Sequence, residues 1–152
     1  MKIRQANGND SEVVGMLVYE LIAELNAQKP PSPTAAVIMG TAHKLLCGPN
    51  IWAFLAESDA GEHAGVLTLN GCAAIYAGGH FGEVAELYVR PAFRSQSVGS
   101  QLLRAAIEFG KTQGWTRLEV CTPPMPQWAR TLSFYQQNGF IALGPRLKLP
   151  LD

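Results

Sequence analysis

The chain has 152 residues, a length that suits one domain and makes two separate cores improbable. Hydrophobic residues are 47% and charged ones 16%, which excludes a disordered chain. Twelve Lys and Arg balance twelve Asp and Glu, so no net field draws the protein to nucleic acid or to an anionic membrane.

Residues 3–6 read as an opening strand. Asp10 or Ser11 can then cap a helix. Val14, Leu17, Val18, Leu21, Ile22 and Leu25 recur at helical spacing, with Glu12, Glu20 and Glu24 off the stripe. The prolines of residues 28–33 forbid continuation of that helix. Residues 34–46 read as a second helix, ended by Gly48-Pro49. Residues 51–57, 64–76 and 81–89 are extended segments, the second interrupted by Gly71. Turns at Gly61 and at Gly78-Gly79 separate them, and with residues 3–6 they suggest an antiparallel meander.

The pattern then changes. Val98, Leu102, Leu103, Ala106 and Ile107 mark a helix over residues 97–113, with Gly114 just past its end. Residues 116–122 alternate as a strand closed by Pro123, Pro124 and Pro126. Residues 128–138 form a last helix, stopped at Asn138-Gly139. Residues 140–143 and 147–151, joined through Gly144-Pro145, read as a terminal hairpin. The order is β-α-α-β-β-β-α-β-α-β-β. Residues 81–122 should make a right-handed parallel crossover. The fold class is therefore α/β: a mixed, mostly antiparallel sheet with one β-α-β crossover, flanked by helices and forming a single domain over residues 1–152. Trp52, Phe54, Phe81, Trp115 and Phe140 read as core or interface aromatics.

Cys47, Cys72 and Cys121 are far apart and odd in number, and no Cys-x-x-Cys occurs. Neither a disulfide framework nor a metal site is encoded, which suits a reducing, cytoplasmic setting. The opening MKIRQANGNDSEVV has no apolar run, so no signal peptide is expected. The uncharged stretches 45–56 and 64–79 are shorter than the about 20 apolar residues that a bilayer needs. A soluble protein without membrane or nucleic-acid partners is expected.

The chemistry concentrates where the strand Leu87-Tyr88-Val89 runs through Arg90-Pro91 into Arg94-Ser95-Gln96-Ser97-Val98-Gly99-Ser100 and the next helix. Small residues at a strand-to-helix junction let backbone N–H groups converge. The first N–H groups of a helix have no internal partner and sit at the positive end of its dipole. That combination binds phosphate, and Arg94 can add a charge-assisted bond. The plain alternative is a helix start capped by Ser95 or Ser97. No Gly-Lys-Ser/Thr follows, so this is not a P-loop. Nor does it fit a dinucleotide fingerprint.

The arrangement resembles the acetyl-coenzyme A site of the GNAT superfamily of N-acetyltransferases, whose signature is Arg/Gln-x-x-Gly-x-Gly/Ala on this loop. The matching residues are Arg94-Ser95-Gln96-Ser97-Val98-Gly99, with Leu87-Tyr88-Val89 before them. Phe134-Tyr135-Gln136-Gln137-Asn138-Gly139-Phe140 is similar to the family's second signature block. The element order agrees along the whole chain. Two residues depart from the pattern. Ser97 stands at the first glycine, and Trp128 stands where the family often has an asparagine that touches the cofactor. Arg130 or Thr131 would have to replace that contact.

The resemblance implies an enzyme that moves the acetyl group of acetyl-coenzyme A directly to a primary amine in a ternary complex, with no metal. Main-chain groups of Leu87, Tyr88 and Val89 would bond the pantetheine arm, and residues 94–100 would hold the pyrophosphate. Tyr135 resembles the family tyrosine that protonates the leaving thiolate. Glu83 and Glu86 are the candidate bases. They are three apart, so a regular strand would turn them to opposite sides, while a bulge would change this. His80 is a weaker candidate, and His43 and His63 read as surface residues. The acceptor, a peptide or small amine, would lie between the two early helices and the terminal hairpin. The alternatives are a coenzyme A-binding module without turnover and an acyltransferase with another donor or acceptor. A homodimer through the final strand is also compatible with the composition.

Overall fold

The computed structural model describes residues 1–27, 29–123 and 128–151. Five strands, β1 (Lys2–Gln5), β2 (Ile51–Glu57), β3 (His63–Ala74), β4 (Gly79–Val89) and β5 (Leu118–Val120), form one sheet in chain order. The first four pair antiparallel, while β4 and β5 pair parallel, joined by the helix α3 (Val98–Thr112). This is the expected crossover.

Two helices precede the meander, α1 (Ser11–Leu25) and α2 (Ala35–Leu46), and α4 (Ala129–Gln137) follows β5. The periodic apolar stripes decide which face each helix covers. Val14 and Leu17 of α1 pack with Ala53, Leu55, Val66 and Tyr88 on one side of the sheet. Val98, Leu102, Leu103 and Ala106 of α3 pack with Phe54, Leu67, Leu69 and Val84 on the other. Period-2 alternation in the strands supplies both cores at once, because the sheet is covered on both sides. The helix α2 rests mainly on α1, with Ala42 and Leu46 reaching the core on that face of the sheet. At Gly15 the backbones come so close that a Cβ would stand 2.7 Å from Met39 Cα. Trp52, Phe54, Phe109 and Trp115 form an edge-to-face cluster, with Trp52 and Trp115 centroids 5.5 Å apart.

Several expectations need correction. Gly71 does not interrupt β3; it stays in the ladder opposite Gly82, with the Trp52 ring against it. The irregularity falls instead between Thr68 and Leu69, where Ala85 of β4 has no partner. Asp10 stands at the start of α1 but its side chain does not cap it. Its carboxylate accepts both terminal Arg4 nitrogens at 2.8 Å. Arg4 thereby holds Asp10 well down, at a pKa of about 2. The terminal hairpin does not form: residues 140–151 contain no strand. An alternating pattern needs an edge to pair with. The neighbouring β5 is three residues long, and Pro145 and Pro150 each lack a backbone donor. Leu147, Leu149 and Leu151 are left exposed.

Among the described residues, no helix is long and apolar enough to cross a membrane, and no three His, Cys, Asp or Glu side chains gather as a metal site.

Candidate active site

The parallel pair sets the geometry. β4 and β5 pair only through Gly82, Glu83 and Val84. Beyond Val84 the parallel pairing ends with β5 itself, and residues 121–123 are not strand. Leu87, Tyr88 and Val89 keep their antiparallel partners Leu67, Val66 and Gly65 on the β3 side. Their other edge has no strand partner among the described residues. A half-free strand edge offers main-chain donors and acceptors to an extended ligand.

That edge leads into the loop before α3. Ser95 and Ser97 both have left-handed backbones, with φ of 61° and 59°. Ser97 occupies the N-cap position, yet its side chain makes no capping bond, so the plain capping role fails. Among the described residues, none of the N–H groups of residues 95–100 closes a backbone hydrogen bond of ordinary geometry; the first to do so is Gln101, to the Ser97 carbonyl at 3.0 Å. The loop therefore presents free amides at the positive end of a 15-residue helix. Alternation of left- and right-handed residues makes such amides concave toward an anion.

The price of this shape is strain. A left-handed non-glycine residue costs about 1–2 kcal/mol. Ser97→Gly should raise stability by about 1 kcal/mol, lifting the thermal midpoint by roughly 2–4 °C. A midpoint that falls by a comparable amount would show that the serine side chain contributes more than its backbone costs.

Arg94 is already engaged. Its Nε donates to the Val89 carbonyl at 2.8 Å, and Nη2 to Glu24 of α1 at 2.6 Å. The guanidinium lies 5.7 Å from the Tyr88 ring centre. One turn earlier on α1, Glu20 takes Arg90 bidentately at 2.7 and 2.9 Å. These two pairs clamp α1 onto the end of β4. Arg94 can reach an anion in the loop only by sharing or leaving Glu24.

The bulge at Ala85 decides the glutamates. Glu86 pairs with Thr68 and Glu83 with Asn70, and Thr68 and Asn70 are two apart on β3. Both glutamates therefore face the same side, the α1 side, where Val66 and Tyr88 lie. Glu86 is half-buried. It accepts a hydrogen bond from the Thr68 hydroxyl, and its own backbone N–H donates to that hydroxyl at 3.1 Å. Burial raises its pKa above the ordinary carboxylate value, the Thr68 bond opposes this, and the charge of Glu83 adds to it. Glu83 instead receives Arg146 from the C-terminal segment, at 3.0 and 3.4 Å.

Tyr135 belongs to the opposite face. It is 5% exposed, sits in the α3-side core, and stacks edge-on with Phe134 and Phe140. Burial pushes its hydroxyl up to about 12, so it stays protonated. Phe134 also packs near the loop: a Cβ on Gly99 would meet its ring at 3.4 Å. Thr131 lies one turn before Tyr135 on α4, half-buried, and Arg130 beside it is exposed. His80 and His43 are exposed, whereas His63 is half-buried with Nδ1 3.8 Å from Glu57.

Sequence reasoning missed three features: the Arg94–Glu24 clamp, the left-handed Ser95, and the Arg146–Glu83 pair. The bulge did leave a trace, since Val84 and Leu87 are apolar at a spacing of three.

Residues 49–142 match the family model described as an acetyltransferase (GNAT) domain. The chain is 34% identical over 140 residues to an aminoalkylphosphonate N-acetyltransferase of Salmonella typhimurium, covering 91% of this chain and 84% of that one. A solved putative acetyltransferase from Arthrobacter sp. FB24 superposes with a TM-score of 0.76 at 25% identity, over 99% and 92% of the two chains. A ribosomal-protein-alanine N-acetyltransferase from Brucella melitensis biovar Abortus 2308 shares the fold, with a TM-score of 0.75 at 20% identity over 99% and 100%. With a matching domain over most of its length and a relative over nearly all of it, this chain belongs to the GNAT family of acetyltransferases.

Proposed function

We propose that the protein transfers the acetyl group of acetyl-coenzyme A to the primary amine of a small acceptor, by direct attack with both substrates bound. The observation that carries this is the continuity of two binding surfaces: the half-free edge at Leu87, Tyr88 and Val89, and the free amides of residues 95–100. The first suits an extended amide-containing arm, the second a diphosphate. The arm would lie along Leu87, Tyr88 and Val89 as an added strand, an edge with no strand partner among the described residues. Thr131, Ser100 and the shared Arg94 would be the side chains that contact that ligand.

An alkyl ammonium must lose a proton before it can attack, because it titrates near pKa 10. Glu86 is the group for that proton, taken directly or through one water. It faces the acceptor side, has no cationic partner among the described residues, and has a pKa shifted toward neutrality. Glu83 binds the incoming ammonium electrostatically. The amine nitrogen bonds to the acetyl carbon, the carbon–sulfur bond breaks, the departing thiolate takes the Tyr135 proton, and the second proton, lost from nitrogen as the amide forms, restores the Tyr135 phenol through solvent. A main-chain N–H on the β4 edge would stabilise the oxyanion, worth about 3–4 kcal/mol for one donor. Glu86 and Tyr135 lie on opposite faces of the sheet, which suits a proton leaving on one side and another arriving on the other.

The acceptor reading rests on a relative named for aminoalkylphosphonates. The test is release of free coenzyme A thiol from acetyl-coenzyme A across a panel of amines, beside thermal shifts with coenzyme A, ATP and NAD. Coenzyme A at ~100 times its Kd should add about 2.7 kcal/mol of stability. A shift without thiol release would indicate a binding module. A shift with ATP or NAD alone would indicate another nucleotide ligand.

A further inference from the structure

We infer that Arg146 selects acceptors carrying an anionic group as well as the amine, so that the preferred substrate is a zwitterion. This rests on the acetyltransferase reading above and specifies its acceptor.

The ion pair itself makes the case. Arg146 lies 63 residues from Glu83 in the chain, in a segment without secondary structure, yet both of its terminal nitrogens approach the two Glu83 oxygens. The Arg146 side chain is 58% exposed and that of Glu83 21%, so the pair lies on the α1 face with the cation outermost. Around it, on the same face, Glu119 lies beside Glu83 in the parallel register. Arg117 stands 3.0 Å from Glu119, with its guanidinium over the Tyr76 and Phe81 rings. Three carboxylates thus meet two guanidinium groups, and Glu86 is the one left without a cation.

A ligand that enters must break the Arg146–Glu83 pair. A plain amine satisfies Glu83 and leaves Arg146 unpaired. A plain anion does the reverse, next to the uncompensated Glu86. Only a zwitterion replaces both halves, its ammonium taking Glu83 and Glu86 and its anion taking the fork of Arg146. An anion on the acceptor thus adds a charge-assisted contact to Arg146 that a plain amine lacks, and the preference follows from that added contact.

The experiment compares 2-aminoethylphosphonate and β-alanine with ethanolamine and ethylamine as acceptors, in the wild type, Arg146→Gln, Arg146→Lys and Lys148→Gln. The readout is the ratio of kcat/KM for the zwitterions over the plain amines, which cancels differences in folded fraction. We expect a wild-type ratio well above one, falling about 10- to 100-fold in Arg146→Gln. Arg146→Lys should recover part of it, since lysine keeps the charge and loses the fork. Lys148→Gln, changing a neighbouring exposed cation, should leave the ratio unaltered. Equal or better use of plain amines by the wild type, or an unchanged ratio in Arg146→Gln, overturns the inference and leaves the acetyltransferase reading standing. So does a gain with every acceptor in Arg146→Gln, which would make the segment a blocking strap. Absence of thiol release with all amines overturns both.

Discussion

Glu86→Gln should lower kcat about 10²- to 10⁴-fold, the range supplied by a positioned proton acceptor. Coenzyme A affinity should hardly change, because residue 86 lies on the acceptor face and not on the loop. The wild-type rate should fall at low pH through an apparent pKa above the ordinary carboxylate value, since a base works only when ionised and burial raises this one. That acidic limb should disappear in the variant. Stability should move the other way. A carboxyl whose folded-state pKa is raised contributes stability below its unfolded pKa and loses it as pH rises through the folded value. At neutral pH the buried charge is therefore a cost, and the amide, which can still accept from Thr68, should be at least as stable. Glu83→Gln should cost less in kcat than in KM. If instead it removes the acidic limb and the Glu86 variant keeps it, the two roles are exchanged.

Tyr135→Phe should lower kcat about 10²-fold or more with little change in KM, as expected for an acid used only when the thiolate departs. Phenylalanine keeps the edge-on packing with Phe134 and Phe140. The hydroxyl has no hydrogen-bond partner among the described residues, so the fold should not weaken. The pH behaviour gives an independent check. With its pKa near 12, Tyr135 stays protonated across the working range and puts no alkaline limb on the rate below that value. Its contribution to stability is complete below about pH 10 and fades as pH climbs to 12. Alkaline unfolding monitored between those values should therefore be shallower in the phenylalanine variant. Equal kcat values for the two proteins would remove Tyr135 from the chemistry.

Local pattern carried most of the architecture. The stripe from Val14 to Leu25 and the one from Val98 to Ile107 have helical spacing; Val14, Leu17, Val98, Leu102, Leu103 and Ala106 are buried, whereas Leu25 at the end of the first stripe is exposed. The strand, loop and helix around residues 87–102 were legible because phosphate recognition by free amides depends on adjacent residues. What escaped was long-range. The bulge at Ala85 arises from register with Thr68 and Leu69, and the three-residue spacing of apolar Val84 and Leu87 is its trace within the strand itself. It turns two glutamates that strict alternation would separate onto one face. Glu24 and Arg94 are 70 residues apart, and their pairing depends on how α1 crosses the end of β4. The leucines at 147, 149 and 151 alternate as a strand would, yet alternation describes a side-chain pattern and not a partner. With β5 only three residues long, the segment forms no strand and meets the sheet through the Arg146–Glu83 pair.

The central physical statement is that amides exposed between a strand end and a helix start hold the cofactor's diphosphate. Assigned amide resonances followed during titration with coenzyme A test it most directly. The largest changes should fall on residues 95–100, with a second set at Leu87, Tyr88 and Val89, and pantetheine alone should move only the second set. Saturable binding that leaves the amides of residues 95–100 unshifted would contradict the account.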